Sequence, residues 1–476
     1  MLKNRIKFIS LFLIFTFFIA INCTKSVSST VYTDSKPLNS LSNNANTSNV
    51  KTVTLQAPSN FKHTGLLNSV EELRSIKAKI AEGKEPWKTA FNKMKSSNFA
   101  KINYTPTPYE IVSSDINGSS DHGANAEIND AIDAYTQALM WIFTDDQRYA
   151  NNSARILDSW SSTLKSHQGQ NWYLQASWAG SIFPLSAELL RATYPKWTNN
   201  EISQFSAMLN TAFLPILNNR LAYGNREFSV CNALVAIGVF NNDRAAFYQG
   251  INHWLNYLPC YFYASSDGSA PPKAHYWLNE PSNEQYYHMD VGLFSNRNSS
   301  WIYANNNPLK LGEDTSMLIK SNIRRNWYNP KKYANGICGE TGRDLTHSEM
   351  AFASAINTAE IAWHQGIDLY SLDTKRLTSF METNSSLRLG NTSTISALYS
   401  NGLTANGLVP TYEIAYNHYH NIKKISLPNT NKLITTTIRS MQNHLIPVQG
   451  NIFANRIWAQ VYLNIDWETL THADLN

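Results

Sequence analysis

The sequence predicts an all-α protein, an α/α toroid (an incomplete α/α barrel) built from antiparallel helix hairpins. Apolar side chains recur at intervals of three and four residues over several successive segments, as they do on the buried face of a helix. Short connections between these segments favour antiparallel neighbours. The chain shows neither a glycine-rich phosphate loop nor an alternation of strand and helix patterns, which argues against a Rossmann-type domain.

Six apolar stripes mark the predicted helices in chain order. They run over residues 128–142, 149–164, 178–189, 202–213, 228–235 and 352–363. Residues 144–146 should end the first helix, Pro184 should lie near the first turn of the third, and Gly366 should cap the last. The β-branched run at 434–438 fits either a strand or a last helix.

The N-terminus predicts export. Three basic residues precede an apolar run at 8–21 that is too short for a comfortable membrane span, as in a signal peptide. Cys23 follows small and polar residues and is a candidate for lipidation. The alternatives are an ordinary cleaved signal or a retained anchor.

Three regions follow from this pattern. Residues 1–23 are the predicted signal, residues 24–58 are a flexible tether rich in Ser, Thr and Asn, and residues 59–476 form the predicted toroid. The expected location is periplasmic or on the outer surface, with contact to a membrane only through a lipid on Cys23.

Composition narrows the class of partner. Apolar residues make up 43% and charged residues 16% of the 476 positions, and the net charge is +5, which indicates a globular protein with a mildly basic surface. Lys and Arg are scattered, so no nucleic-acid footprint is predicted, whereas an anionic polysaccharide is favoured. Cys231, Cys260 and Cys338 match no zinc or redox spacing and are predicted to be buried thiols.

Residues 264–338 form a long insertion dense in Asn, Tyr, Trp and Pro. Long irregular insertions in compact domains are either disordered or functional. Its aromatic and histidine content predicts an ordered lid or groove wall.

The stretch at 339–366 carries the strongest local signal for a site. Thr346 and Glu349 have capping-box spacing, which predicts a helix from Thr346 to Gln365 with His347 in its first turn. The positive helix end disfavours imidazolium, and Arg343 just before the helix can pair with a substrate carboxylate. The alternative is a local salt bridge between Arg343 and Asp344, with His347 merely filling surface.

Several stretches resemble the alginate lyase domain family, whose members degrade alginate and related uronans such as glucuronan. Among them are Asn225-Arg226-Glu227-Phe228-Ser229 and Glu340-Thr341-Gly342-Arg343-Asp344-Leu345-Thr346-His347, the latter followed by a helix ending in Gly-Ile-Asp-Leu-Tyr. The other matching pieces lie at 61–67, 130–160, 174–197, 339–370, 410–419 and 469–474. The resemblance implies an α/α toroid and a metal-independent lyase without an organic cofactor.

The resemblance also implies roles in β-elimination, in which a uronate carboxylate is neutralised, a base removes the C5 proton and an acid protonates O4. Asn225 corresponds to a neutralising Asn, Arg343 to a carboxylate-binding Arg, and His347 to a base or neutraliser. The sequence departs from the family because Ser348 stands where a Tyr is expected and Arg226 where His is usual. Tyr276 or Tyr287 of the insertion is therefore a candidate for the missing acid.

Further residues are predicted to contact or orient the substrate. These are Arg226, Glu227, Glu340, Trp178, His288, Asn417 and His418. Glu227 and Glu340 fit groups that orient Arg or His, and Trp178 fits a stacking platform or a core residue equally well.

Two other functions stay open at this point. A glycoside hydrolase on the same toroid would need two facing carboxylates, for which Asp121, Glu127 and Asp130 are candidates. A non-catalytic glycan-binding lipoprotein would bind uronan and release no product.

Overall fold

The structure is a computed structural model that describes residues 58–114, 122–218, 222, 224–272, 327–400, 404, 407–440 and 467–475. All of them belong to the unit that spans Leu55–Asn476. The predicted signal with Cys23 and the predicted tether up to residue 57 lie outside the described residues, as do Asp121, Tyr276, Tyr287 and His288.

Helices account for nearly all regular structure in these ranges. In chain order they are α1 Val70–Ala81, α2 Trp87–Ser96, α3 Ala124–Thr144, α4 Gln147–Thr163, α5 Trp172–Thr193, α6 Asn199–Met208, α7 Leu214–Leu217, α8 Asn225–Asn241, α9 Arg244–Tyr261, α10 Leu345–His364, α11 Thr374–Arg388, α12 Ser393–Leu398, α13 Glu413–Tyr416, α14 Pro428–Leu433 and α15 Glu468–His472. Short 3₁₀ turns lie at Asn98–Ala100 and Ser265–Asp267. Two short strands, β1 Ile111–Ser113 and β2 Ser166–Gln168, pair in parallel.

Three π-helical segments directly continue α6, α13 and α14, at Leu209–Phe213, Asn417–Ile422 and Ile434–Ile438. The β-branched run near the C-terminus is therefore helical and not a strand. In the part of the chain that the structure describes, no helix combines the length and the apolar character that crossing a membrane would require.

The helices form two layers. Every residue of α5 from Tyr173 to Leu190 and every residue of α10 from Leu345 to Ala362 is buried, and α3 and α8 are nearly as enclosed. A helix buried all round lies inside a protein. The helices that alternate with them in the chain, α4, α6 and α9, bury one face only. This inner and outer alternation is the predicted α/α toroid, and the fold class is confirmed.

The alternation brings the N-termini of the inner helices together. One outer helical segment separates each inner helix from the next, so the chain reverses twice and successive inner helices run the same way. A hydrogen bond joins two of these ends: Gln175 Nε2 of α5 donates to the Ala124 carbonyl of α3 at 3.0 Å. Helix α8 packs against both α5 and α10. Four positive helix ends therefore lie on one side of the ring.

Two local predictions were wrong. Helix α10 begins at Leu345 with Asp344 as its N-cap, and the Asp344 carboxylate accepts from the His347 backbone N–H at 2.7 Å. Glu349 forms no capping box because its buried carboxylate binds the guanidinium of Arg388 at 2.6 and 2.7 Å. Pro184 lies in the middle of α5 and not in its first turn.

Other local predictions are confirmed. Helix α3 ends at Thr144, where Asp145 adopts a left-handed conformation. Gly366 follows α10 with φ of +85°, as expected for a glycine that closes a helix. The three cysteines beyond the signal are buried free thiols.

A partly buried ion pair joins α1 to the C-terminal end of α10. His364 Nε2 lies 3.0 Å from Glu72 Oε2. Burial disfavours the charged form of both groups, but the hydrogen bond between them outweighs this effect. The pKa of Glu72 therefore falls to about 2. The pKa of His364 rises to about 9, and the negative charge of Glu360 adds to this rise. The two shifts describe a single interaction and are not added. Close by, Asn68 donates to the Thr471 carbonyl at 3.0 Å, which ties α15 to the same region.

This pair predicts a pH-dependent contribution to stability. His364 has a raised pKa, so its contribution is fully present below the ordinary value of 6.5 and is lost as the pH rises through about 9. His364→Gln should lower the free energy of unfolding by about 3 kcal/mol at pH 6 and by much less at pH 9.5. Denaturant unfolding across this range measures the difference. His122→Gln, on an exposed residue, is the matched control, and a pH-independent difference for His364→Gln would contradict the assignment.

Candidate active site

A single buried carboxylate organises the ring of inner helix ends. Glu340 is 0% exposed. Its Oε2 accepts from the Asn225 backbone N–H at 2.8 Å, from Asn225 Nδ2 at 3.0 Å and from the Tyr261 hydroxyl at 2.8 Å, while Oε1 accepts from Arg343 Nη1 at 2.8 Å. A buried charge needs such partners. Burial alone would raise the pKa of Glu340, but Arg343, His347 and these hydrogen bonds bring it below its ordinary value, so the group is ionised at neutral pH.

Gly224 allows this close approach. It has φ of +69°, and a Cβ built there would lie 3.0 Å from Glu340 Oε2 and 3.1 Å from its carboxyl carbon. Its backbone N–H donates to the Tyr257 hydroxyl at 2.6 Å. Glycine is therefore favoured just before α8, because other residues rarely adopt this backbone conformation and a Cβ would make a tight contact with the carboxylate.

Arg343 presents a positive charge at the edge of this network. Its side chain is 31% exposed, so part of it faces solvent. Burial lowers its pKa, but Glu340 first, then Tyr328 and Asp344, outweigh that effect and raise it, while the charge of Arg226 acts in the opposite direction. Arg343 and Arg226 thus contribute positive charge to the same region.

Arg226 stands in the first turn of α8 and is partly exposed. Its Nη1 lies 3.4 Å from the hydroxyl of Tyr173 at the start of α5. The two guanidinium groups therefore come from α8 and from the turn before α10, which pack against each other. Two guanidinium groups beside helix N-termini form a favourable environment for a carboxylate.

His347 lies beside these cations and is paired with an acid. Its Nδ1 lies 2.8 Å from both carboxylate oxygens of Asp344. His347 first, and then Arg343, lower the pKa of Asp344 against the effect of burial. When Nδ1 carries a proton it donates a hydrogen bond to the Asp344 carboxylate, and that arrangement favours the tautomer whose lone pair lies on Nε2. A His–Asp pair of this kind can act as a general base.

Five residues predicted from the sequence are thus brought together: Asn225, Arg226, Glu340, Arg343 and His347. They come from the first turn of α8, the turn before α10 and the first turn of α10. The predicted Arg343–Asp344 pair is present but long, at 3.8 Å, and Glu340 is the nearer partner of Arg343.

Asn225 is oriented away from its expected role. Its amide nitrogen donates to Glu340, so the atom that remains is the buried carbonyl oxygen, which has no hydrogen-bond partner among the described residues. A carbonyl oxygen repels a carboxylate. The Asn225 amide therefore holds Glu340, and the positive charge of this region comes from the two arginines.

Two predicted substrate contacts are corrected to positioning groups. Glu340 is fully buried and occupied by the partners described above. Glu227 is also 0% exposed. It accepts from the Ala222 backbone N–H at 2.6 Å and lies 2.9 Å from His253 Nδ1, so it fixes the segment that leads into α8.

Trp178, Asn417 and His418 are buried. Trp178 is 4% exposed and packs in the core, so it offers no face to a sugar. His418 stacks on Tyr370 at 3.8 Å, contacts Trp363 at 4.9 Å and is 2% exposed. Because α10 has 20 residues, its Trp363 end is roughly 27 Å from its Arg343 end. All three side chains are buried, and their contact with a substrate stays a prediction.

The acids considered for a hydrolase have structural partners. Glu127 is buried, with Oε1 at 2.8 Å from His167 and Oε2 accepting from Gln175 at 2.8 Å. Asp130 is buried and accepts from the Thr107 backbone N–H and from Trp160 Nε1. Neither carboxylate faces a cleft.

The sequence analysis missed three groups of this network. Tyr257 and Tyr261 are four residues apart on α9, and that spacing places both on the helix face turned towards Gly224 and Glu340. Asp344 was considered only as a partner of Arg343, although its place directly before a helix is the usual position of an N-cap.

Known proteins resemble this chain in structure only. No protein-family model matches it, and no curated protein matches it in sequence. A variant of alginate lyase A1-III complexed with a tetrasaccharide aligns with a TM-score of 0.50 and 12% identity, over 77% of this chain and 89% of that one. Alginate lyase A1-III from Sphingomonas species A1 aligns with a TM-score of 0.47 and 12% identity, over 78% and 92%. The likeness to the tetrasaccharide complex is one of fold.

Glu340→Gln should unfold at a lower denaturant concentration than the wild type. The substitution removes the charge that balances Arg343 and should cost about 3 kcal/mol at pH 7. The pKa of Glu340 is lowered, so its charge stabilises the fold fully above the ordinary glutamate pKa of 4.5. The stability difference between variant and wild type should therefore be largest above pH 4.5 and should shrink as the pH falls below it.

The matched control is Glu71→Gln, whose side chain is 70% exposed and which should change stability by less than about 0.5 kcal/mol. Equal stabilities of the two variants at pH 7 would refute the central role of Glu340.

Proposed function

We propose that this protein is a polysaccharide lyase that cleaves a uronic-acid polymer of the alginate or glucuronan type by β-elimination. One observation carries the proposal. Two partly exposed arginines, Arg226 and Arg343, lie at the same adjoining helix N-termini as the His347–Asp344 pair. The likeness in fold to alginate lyase A1-III supports the class of reaction.

The proposed chemistry begins with the substrate carboxylate. Arg226 and Arg343 neutralise it and stabilise the negative charge that develops when C5 loses its proton, and such electrostatic stabilisation is a large contribution to catalysis. Helix N-termini add to this stabilisation. His347, held by Asp344 at 2.8 Å, takes the C5 proton.

Two alternatives remain as outcomes of the test. A glycoside hydrolase needs two facing carboxylates, and Glu127 and Asp130 are buried in other roles. A glycan-binding protein without activity would use the same cations without turnover. The proposed lyase needs no metal, and Arg226 and Arg343 take the electrostatic role.

Export and lipidation on Cys23 belong to the same proposal. A basic segment, an apolar run and a cysteine at position 23 support them. Labelled fatty acid should be incorporated by the wild type in a bacterial host and not by Cys23→Ser. Equal labelling of both would overturn lipidation at this residue.

Incubation with alginate, glucuronan and hyaluronan tests the reaction itself. A lyase creates a C4=C5 double bond conjugated with the carboxylate, so ultraviolet absorbance should rise with at least one uronan. New reducing ends without absorbance would indicate a hydrolase, and binding without either signal would indicate a binding protein. Each of these results would reject the lyase.

Arg343→Ala should lower kcat/KM for the cleaved uronan by about 100-fold or more, because one of the two charges that stabilise the transition state is lost. Arg148→Ala removes an arginine that is 70% exposed and should leave activity unchanged. Full activity of Arg343→Ala would place the active site elsewhere.

A further inference from the structure

A small cavity lies among the inner helices. Its volume is about 20 Å³, which is room for one water molecule or one unhydrated ion of similar size. Polar side chains from five helices line it: Tyr135 on α3, Ser181 on α5, Asn232 on α8, Asn357 on α10 and Glu468 on α15. The inner helices and the C-terminal helix therefore meet around one polar space.

Three of these side chains carry a buried oxygen that has no hydrogen-bond partner among the residues that the structure describes. The atoms are Oδ1 of Asn232, Oδ1 of Asn357 and Oε2 of Glu468, and the three residues are 3%, 6% and 5% exposed. The Ser181 hydroxyl donates to the Trp178 carbonyl at 2.9 Å, so it has only lone pairs left to offer. Because unpaired buried oxygens are costly, this group of acceptors requires an explanation.

The described lining of the cavity contains one acid and no cation at neutral pH. The acid is Glu468, and His472 is the only described lining residue that can become positive. Burial lowers the pKa of His472 to about 4, so it is neutral. Arg439 is engaged elsewhere, since it binds Glu413 at 2.7 and 2.9 Å. Burial raises the pKa of Glu468 to about 8, so a proton and a bound cation compete for this carboxylate.

We propose that this cavity binds one alkali-metal cation, sodium or potassium, through the oxygens of Asn232, Asn357 and Glu468. Oxygen ligands suit hard cations, and one carboxylate balances one charge. Calcium takes roughly six to eight oxygen ligands and magnesium keeps several waters, and a cavity of about 20 Å³ has no room for such a shell. A water molecule has only two hydrogens to donate, so it would leave one of the three oxygens unpaired and the carboxylate unbalanced.

The cation would join α15 to two helices that carry the proposed active site at their N-terminal ends. Asn232 follows Asn225 by seven residues on α8, and Asn357 follows His347 by ten residues on α10, which places the cation roughly 10 to 15 Å along the helices from that site. It therefore stabilises the packing of α8, α10 and α15 and takes no part in the reaction. The inference does not depend on the proposed function.

Thermal unfolding at pH 9, where Glu468 is ionised, tests for the cation at constant ionic strength. The midpoint of the wild type should rise by about 2 °C or more when sodium or potassium chloride replaces tetramethylammonium chloride, because the small cation binds only the folded state. Glu468→Gln and Asn357→Leu should lose this rise, whereas Glu71→Gln, on a side chain that is 70% exposed, should keep it. Equal midpoints of the wild type in all three salts, or an undiminished rise in Glu468→Gln, would overturn the proposal.

A second measurement needs no variant. Crystals of the wild type soaked in thallium(I) acetate at pH 9 should show an anomalous peak within coordination distance of Asn232 Oδ1, Asn357 Oδ1 and Glu468 Oε2, because thallium(I) replaces potassium at such sites. Electron density at this position without an anomalous signal would identify a water molecule and reject the cation.

Discussion

The burial of one carboxylate constrains the whole site. Glu340 is fully enclosed and ionised, so it must receive donors from its surroundings. Those donors come from α8, α9 and the turn before α10, through Asn225, Tyr261 and Arg343. The charge at the centre thereby fixes how two inner helices and one outer helix meet, and it sets the position of the exposed cation.

Much of the fold was predictable from local pattern, for a physical reason. Outer helices such as α4 bury one face, so the sequence shows a stripe. Inner helices such as α5 are buried on all sides. An apolar stripe then shows that a helix is present, but it does not show where the helix begins and ends. That is why Pro184 was placed in a first turn although α5 begins twelve residues earlier. The capping box at Thr346 failed because Arg388, 39 residues beyond Glu349, offers that carboxylate a stronger partner.

The residues of the candidate site were partly predictable as well. Asn225 and Arg343 could be paired only through the family resemblance, since the contact that joins them through Glu340 spans 115 residues of chain. The orientation of the Asn225 amide depends on that carboxylate and had no local signal. The sequence could not place Asn417 and His418, because local pattern does not show which end of the 20-residue helix α10 their segment contacts. The apolar pattern left open whether Trp178 is a core residue or a stacking platform, and its burial favours the core residue.

Gly224 limits how this protein can change over evolutionary time. Its missing side chain leaves the room that the Glu340 carboxylate occupies, and its backbone is in a conformation that other residues rarely adopt. Every replacement adds a Cβ, so size and polarity give no graded series of tolerated substitutes. Selection at this codon should therefore be all-or-none, and drift in the surrounding helices must leave this one position untouched.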